Sequence, residues 1–146
     1  MPVSALTVLL RILGGGSVSE EEQKELYRET LLLVLARGAY SDTNIASAEV
    51  DTAQKIYQAH TNETLETADF RHAARSELFE ATPLNRYVSR AAALLNIEHR
   101  RDIAAALREM IHADESVSPN EIEFFNTTAK ALDLTYADVV GLIARS

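Results

Sequence analysis

A ten-residue pattern occurs twice in this chain, and the two copies begin seventy-two positions apart. They span residues 42–51 and 114–123. Each reads acid, two small or polar residues, a β-branched apolar residue, three further residues, then Glu, an aliphatic residue and a second acid. A repeated supersecondary unit constrains the fold more than any local signal, because the same unit must pack twice. We therefore predict two helix-loop-helix units related by an approximate two-fold axis.

The composition indicates one self-supporting globular domain. Of the 146 residues, 47% are hydrophobic and 25% are charged, which is typical of a soluble chain that buries a core. There is no cysteine, so disulfides, thiolate zinc sites and cysteine nucleophiles are excluded. The net charge of −8 has the wrong sign for a surface that follows phosphate backbones, and we expect no nucleic-acid partner.

Glycine and proline are scarce, and they fall between segments whose apolar residues recur at helical spacing. We predict an all-α, single-domain bundle of about seven or eight helices. The predicted helices cover residues 3–13, 20–40, from 47, 67–80, 84–95, 98–112, from 119 and from 136. Gly14 to Gly16 predict a joint after the first helix, since three glycines are costly to hold in a helix. We thus divide the chain into an N-terminal helix with its glycine-rich joint, 1–16, and a helical domain, 17–146.

Capping residues mark several helix starts. Ser19 and Glu22 have the spacing of a capping box, in which each side chain bonds the other residue's backbone amide. Ser118, Pro119 and Glu121 give the clearest start signal, with Ser at the N-cap, Pro at N1 and Glu at N3. The helix that follows carries an apolar face that we expect to be buried. That face comprises Ile122, Phe125, Ala129 and Leu132.

Asp42 and Asp114 occupy unfavourable positions. Each closes a predicted helix, where the dipole disfavours a negative charge by about 0.3–1 kcal/mol. Each also continues an apolar stripe, and a carboxylate at the edge of a core needs a partner. One explanation is that each Asp accepts hydrogen bonds from loop amides, while Glu49 and Glu121 only cap the next helix. The chain would then be a metal-free helical scaffold that binds another protein.

The second explanation uses both copies together. If the two loops lie side by side, Asp42, Glu49, Asp114 and Glu121 converge, and their mutual repulsion requires a cation or protons. Carboxylate oxygens suit Ca²⁺ or Mg²⁺, and Mn²⁺ and Zn²⁺ also accept them. This reading predicts a divalent-metal site without an organic cofactor. The loops do not fit an EF-hand, which needs Gly at its sixth position and Glu at its twelfth.

Four features of the second copy and the segment after it belong together. They are an Asp at the end of a helix, a β-branched residue three positions on, a Ser-Pro-x-Glu start at residues 118–121, and Leu-Asp-Leu-Thr at residues 132–135. These features resemble the TerB-like tellurite-resistance family, most strongly over residues 107–143 and more weakly over residues 31–57. The resemblance implies a compact bundle of seven or eight helices in bacterial stress-response and membrane-associated systems, with a metal centre at the four acids.

We expect a non-enzymatic, cytoplasmic protein. Two nearly equivalent acid copies do not supply the asymmetric carboxylate pair that a hydrolase needs. The four histidines show neither an HExxH pattern nor an i, i+4 pair, and His112 is assigned to packing or to the surface. Residues 3–13 form the longest apolar stretch, which is too short to cross a bilayer and has no basic segment before it. We expect a protein partner, and the sequence leaves peripheral membrane association and homodimerisation open.

Positive charge is concentrated in the middle of the chain, between residues 71 and 108. Its arginines are Arg71, Arg75, Arg86, Arg90, Arg100, Arg101 and Arg108. They predict either a docking face or an ordinary solvated helix surface.

Overall fold

The chain forms a helical bundle throughout its described part. The structure, a computed structural model, describes residues 8, 11–12, 17–40, 47–74, 84–113 and 119–135. Over these residues the regular structure consists of six helices without a strand, and none of the six is long and apolar enough to span a membrane. The helices are α1 (Glu20–Tyr40), α2 (Ser47–Thr61), α3 (Thr67–Ala74), α4 (Leu84–Ala92), α5 (Ile97–His112) and α6 (Pro119–Ala131).

The longest helix, α1, lies at the centre of the bundle. The consecutive residues Leu31 to Ala36 are all buried, so apolar side chains cover the whole circumference of the helix at this level. A helix that is apolar all round must be enclosed by its neighbours. α1 packs against α2, α3, α4, α5 and α6, and α5 in turn contacts α2 and α6. The core is therefore built around α1.

Three predicted helix starts are confirmed. α1 begins after Ser19, whose hydroxyl accepts a 3.3 Å hydrogen bond from the Glu22 amide. The Glu22 carboxylate accepts a 3.2 Å hydrogen bond from the Ser19 amide, which completes the capping box. α2 begins at Ser47 and α6 at Pro119, as the sequence predicts.

Other parts of the predicted fold lie outside the described residues. They include the glycine joint at 14–16, the end of the fourth predicted helix at 75–80, and the last helix from 136. The total of seven or eight helices and the two-fold relation of the halves therefore stay predictions. The helix predicted to reach residue 95 ends at Ala92, and a turn leads from it to the start of α5.

A Schellman motif closes the C-terminus of α6. Asp133 has a φ of 57°, in the left-handed region, at the position that glycine usually occupies in this motif. The amides of Asp133 and Leu134 donate to carbonyls three and five residues earlier, at 3.0 and 3.2 Å. Arg100 of α5 donates to the carbonyls of Leu132 and Asp133, at 3.2 and 3.0 Å. The Leu-Asp-Leu-Thr segment thus ends α6 and attaches it to α5.

The predicted burial of Ile122 on the apolar face of α6 is wrong. It is 51% exposed, whereas Ala129 and Leu132 are buried and Phe125 is partly buried. The second half of α6 packs on the core, while Ile122 lies in its first turns, at the rim of the bundle. Helical spacing identifies an apolar face, but it does not show where along that face the neighbouring helices end.

The described residues that precede α1 also belong to the bundle. Val8 and Ile12 are helical and lie in the main hydrophobic core. The Val8 amide donates a 3.2 Å hydrogen bond to the carboxylate of Glu29, a buried residue of α1. Arg90 of α4 donates to the Ile12 carbonyl at 3.1 Å. The bundle therefore holds the N-terminal segment at these positions.

We predict that Leu33→Ala, in the enclosed part of α1, lowers the free energy of unfolding by about 2–5 kcal/mol, because it leaves a cavity that the neighbouring helices cannot close. The matched variant Ile122→Ala should change the free energy of unfolding by less than about 0.5 kcal/mol, since the Ile122 side chain is largely exposed. Urea denaturation of both variants provides the measurement. Equal losses in the two variants would contradict the central position of α1.

Candidate functional site

The four acids predicted to bind metal belong to the two predicted acid loops, residues 41–46 and 113–118, and to the segments after them. Asp42 and Asp114 lie outside the described residues. Glu49 is in the first turn of α2, with its side chain outside the described part. Glu121 is in the first turn of α6, where it is partly buried and has an interaction partner. Among the described residues, no group of three or more His, Asp or Glu is arranged to hold a metal, and the convergence of the four acids stays a prediction.

The helix boundaries on either side of the two loops correspond in position. α1 ends at Tyr40 and α2 begins at Ser47, while α5 ends at His112 and α6 begins at Pro119. Both pairs of boundaries are seventy-two positions apart, which is also the spacing of the two acid patterns. α1 packs against α2, α5 packs against α6, and α1 and α5 pack against each other. Each acid loop therefore connects two helices that are in contact.

His60, in the last turn of α2, lies between two carboxylates of α5. Its Nδ1 is 2.8 Å from Oδ1 of Asp102, and its Nε2 is 2.5 Å from Oε2 of Glu109. Asp102 and Glu109 are seven residues apart, which places them on the same face of α5, two turns from each other. One imidazole ring can therefore reach both carboxylates.

Tyr27 of α1 completes this group, and we call Tyr27, His60, Asp102 and Glu109 the histidine cluster. The Tyr27 hydroxyl donates a hydrogen bond to Oδ2 of Asp102 and lies 3.5 Å from the His60 carbonyl oxygen. The Tyr27 ring stacks on the imidazole of His99, with centroids 4.7 Å apart and an angle of 21° between the planes. Because Tyr27 is buried, the cluster extends from the core to the surface and joins α1, α2 and α5.

The histidine cluster favours the charged form of His60. The hydrogen bond with Asp102, reinforced by Glu109, raises the pKa of His60 to about 9 although desolvation opposes the charge. Burial acts to raise the pKa of Asp102, but hydrogen bonds from His60 and Tyr27 hold that pKa below its ordinary value. Burial raises the pKa of Tyr27, and burial lowers the pKa of His99. The result is an imidazolium between two acids.

This arrangement determines what the cluster can do chemically. An imidazolium has two N–H donors, so it can donate to Asp102 and Glu109 at the same time. While both hydrogen bonds persist, neither ring nitrogen has a lone pair for a metal or for a substrate proton. The cluster therefore acts as a charged connection between helices, and its strength depends on pH.

No local pattern in the sequence marks the histidine cluster. His60 and Asp102 are forty-two positions apart, so their contact depends on how α2 meets α5. The sequence offers only a weak signal for this cluster. Asp102 and Glu109 border the apolar stripe of α5 at a two-turn spacing, which indicates acids at the edge of a buried face without identifying their partner.

Two arginines of the basic stretch at residues 71–108 serve the fold. Arg90 donates to the Ile12 carbonyl, and Arg100 donates to the carbonyls that end α6. A guanidinium at the C-terminus of a helix also interacts favourably with the helix dipole. These two guanidinium groups bind backbone carbonyls, and the docking face or solvated surface proposed for the seven arginines stays a prediction.

We predict that the His60 ring protons, followed by NMR, titrate with a pKa of about 9. In Asp102→Asn this pKa should move toward the ordinary value of 6.5, because the main hydrogen bond that stabilises the charged ring is weakened. Glu98→Gln, an exposed acid of the same helix, is the matched control and should leave the titration in place. A wild-type His60 that titrates near 6.5 would contradict the cluster.

We also predict that His60 contributes to stability in a pH-dependent way. Since folding raises its pKa from 6.5 to about 9, its stabilisation is complete below pH 6.5 and is lost as the pH rises to about 9. His60→Gln should therefore lower the free energy of unfolding by about 1–3 kcal/mol under mildly acidic conditions. The difference from wild type should shrink as the medium becomes alkaline. Urea denaturation of both proteins across this pH range tests the prediction, and a pH-independent difference would contradict it.

Comparison with known protein families gives a match over most of the chain. The family model described as Tellurite resistance protein TerB matches residues 28–142. A search of the curated proteins gave no match, and a search of the solved structures gave none either. The matched range includes both acid loops and all of α2 to α6. Because it covers well over half of the 146 residues, the chain belongs to the TerB family of tellurite resistance proteins.

Proposed function

We propose that this protein is a non-enzymatic module of a bacterial stress response that binds a divalent cation through its two acid loops. The proposed ligands are Asp42, Glu49, Asp114 and Glu121. The observation that carries the proposal is the correspondence of the helix boundaries around the two loops. Two loops of equal length, each between helices that pack together, supply the same acids twice within one bundle.

The chemistry of these acids supports a cation of the hard type. Four carboxylates provide only oxygen ligands, which suit Ca²⁺ and Mg²⁺, and Mn²⁺ and Zn²⁺ are the further candidates. The chain has no cysteine that would select a softer metal. Neutralising four converging negative charges would stabilise the fold when the cation is bound.

A second function, that of a metal-free scaffold for a protein partner, is supported by a different observation. The capping box at Ser19 and Glu22 shows that this chain uses Ser and Glu to begin a helix. Ser118 and Glu121 have the same spacing before α6. In this alternative Glu121 and Glu49 only satisfy helix amides, and the charged helix faces bind the partner.

We predict that at least one of Ca²⁺, Mg²⁺, Mn²⁺ and Zn²⁺ raises the melting temperature of the protein in a concentration-dependent way. A cation at about 100 times its Kd should stabilise the fold by about 2.7 kcal/mol, because it binds only the folded chain. Thermal shift measurements identify the ion, and calorimetry gives the stoichiometry. The double variant Asp114→Ala with Glu121→Ala should abolish the response.

The matched control is Asp51→Asn with Glu123→Gln. These exposed acids lie two residues after Glu49 and Glu121 on the same helices, and therefore point away from them. The control should keep the full response to the cation. If none of the four ions changes the melting temperature, or if both double variants respond like wild type, the metal-binding proposal is wrong and the scaffold function is favoured.

A further inference from the structure

The bond between His60 and Glu109 lies at the exposed edge of the histidine cluster. The Nε2 atom of His60 is 2.5 Å from Oε2 of Glu109, whose side chain is 52% exposed. The Nδ1 atom faces Asp102, on the less exposed side. An imidazole nitrogen and a carboxylate oxygen are both ligands of Zn²⁺. Two zinc ligands therefore lie side by side where solvent reaches one of them.

The other side of the His60 ring has the outer shell that a metal-bound histidine needs. Oδ1 of Asp102 is 2.8 Å from Nδ1 and accepts its N–H, while the Tyr27 hydroxyl donates to Oδ2 of the same carboxylate. Histidines that bind metal usually donate their second N–H to such a carboxylate, which fixes the tautomer and the ring orientation. With its proton on Nδ1, the neutral His60 ring presents its lone pair at Nε2, toward Glu109.

A cation at this edge takes the place of a proton. Without metal, the imidazolium donates its Nε2–H to Glu109. Zn²⁺ displaces that proton and puts a larger positive charge between the same two groups, so the connection of α2 with α5 is kept. The distance between Nε2 and Oε2 must open from 2.5 Å to about 3.3 Å, as two tetrahedral ligand bonds of about 2.0 Å require. Rotations within the half-exposed Glu109 side chain can supply this shift.

His112 can supply a third ligand from the same helix. It follows Glu109 by three residues, at the end of α5, and it is exposed. Side chains three positions apart are neighbours on a helix surface, with Cβ atoms about 5–6 Å apart. Among the described residues no three such groups already surround an ion, so His112 must turn toward Glu109 when the ion binds. An exposed imidazole can change rotamer without a loss of core packing.

We propose that His60, Glu109 and His112 bind Zn²⁺ at the surface between α2 and α5, with Asp102 and Tyr27 as the outer shell. Two imidazoles and one carboxylate leave a fourth position for water. The imidazole ligands distinguish this site from the acid loops, because Ca²⁺ and Mg²⁺ take oxygen ligands. The net charge of −8 favours the approach of a cation. The site is independent of cation binding at the acid loops.

The first measurement is the affinity of the full chain for Zn²⁺, by calorimetry at neutral pH. Glu109→Gln and His112→Gln should each weaken binding by at least about tenfold, since loss of an outer-shell partner alone costs about 10–100-fold. The matched controls are Glu98→Gln, about three turns before Glu109 on α5, and His72→Gln on α3, and both should keep the wild-type affinity. All four replaced residues are exposed, so the metal-free variants should melt close to wild type.

The second measurement uses Co²⁺ in place of Zn²⁺, because the visible absorption of Co²⁺ reports its ligands and geometry. His112→Gln should change the spectrum, since one nitrogen ligand is lost. Asp102→Asn should weaken binding by about 10–100-fold and leave the spectrum of the bound ion close to wild type, because all three ligands remain. A changed spectrum in Asp102→Asn would overturn its assignment to the outer shell.

The variants also separate this site from the acid loops. Zn²⁺ binding should persist in Asp114→Ala with Glu121→Ala and should be lost in His60→Gln. If the chain does not bind Zn²⁺, or if Glu109→Gln and His112→Gln bind it like their controls, the proposed site is wrong. Zn²⁺ binding that is lost in the acid-loop variant and kept in His60→Gln would also overturn it, and would support the acid loops instead.

Discussion

The enclosure of α1 on all sides is the constraint on which the rest of the structure depends. Its middle turns are apolar around the full circumference, so no arrangement that leaves one face in water is stable. The neighbouring helices need only one apolar stripe each, because α1 supplies the opposing surface for all of them. Even the polar residue Thr30 is tolerated there, since its hydroxyl donates to the Leu26 carbonyl at 2.7 Å.

Burial alone would not fix how the outer helices are rotated or shifted along α1. Apolar contacts are non-directional, whereas hydrogen bonds to charged groups hold their partners to a narrow geometry. The histidine cluster fixes α2 relative to α5, and Arg100 fixes the end of α6 relative to α5. α5 is therefore the reference for the placement of both α2 and α6, which depends on a few polar contacts.

Local signals in the sequence predicted the helical class and several helix starts, because a cap such as Ser19 and Glu22 involves residues three positions apart. The same signals failed for Ile122, where burial depends on the extent of neighbouring helices. They also gave no indication of His60, whose partners are distant in sequence. The acid pattern was only partly predictable. Local signals indicated the helix boundaries around it, but the convergence of its carboxylates depends on packing that the sequence does not specify.

The contacts of the N-terminal segment show that the folded unit extends beyond the matched family domain. The family match begins at residue 28, yet Val8 and Ile12 fill the core, and Glu29 receives its amide donor from Val8. A chain trimmed to the matched range would lose the cap and first two turns of α1 together with part of its apolar cover. It would also remove the Val8 amide that donates to Glu29, a residue that is buried in the intact chain. In this protein the segment before the family domain is a structural component of that domain.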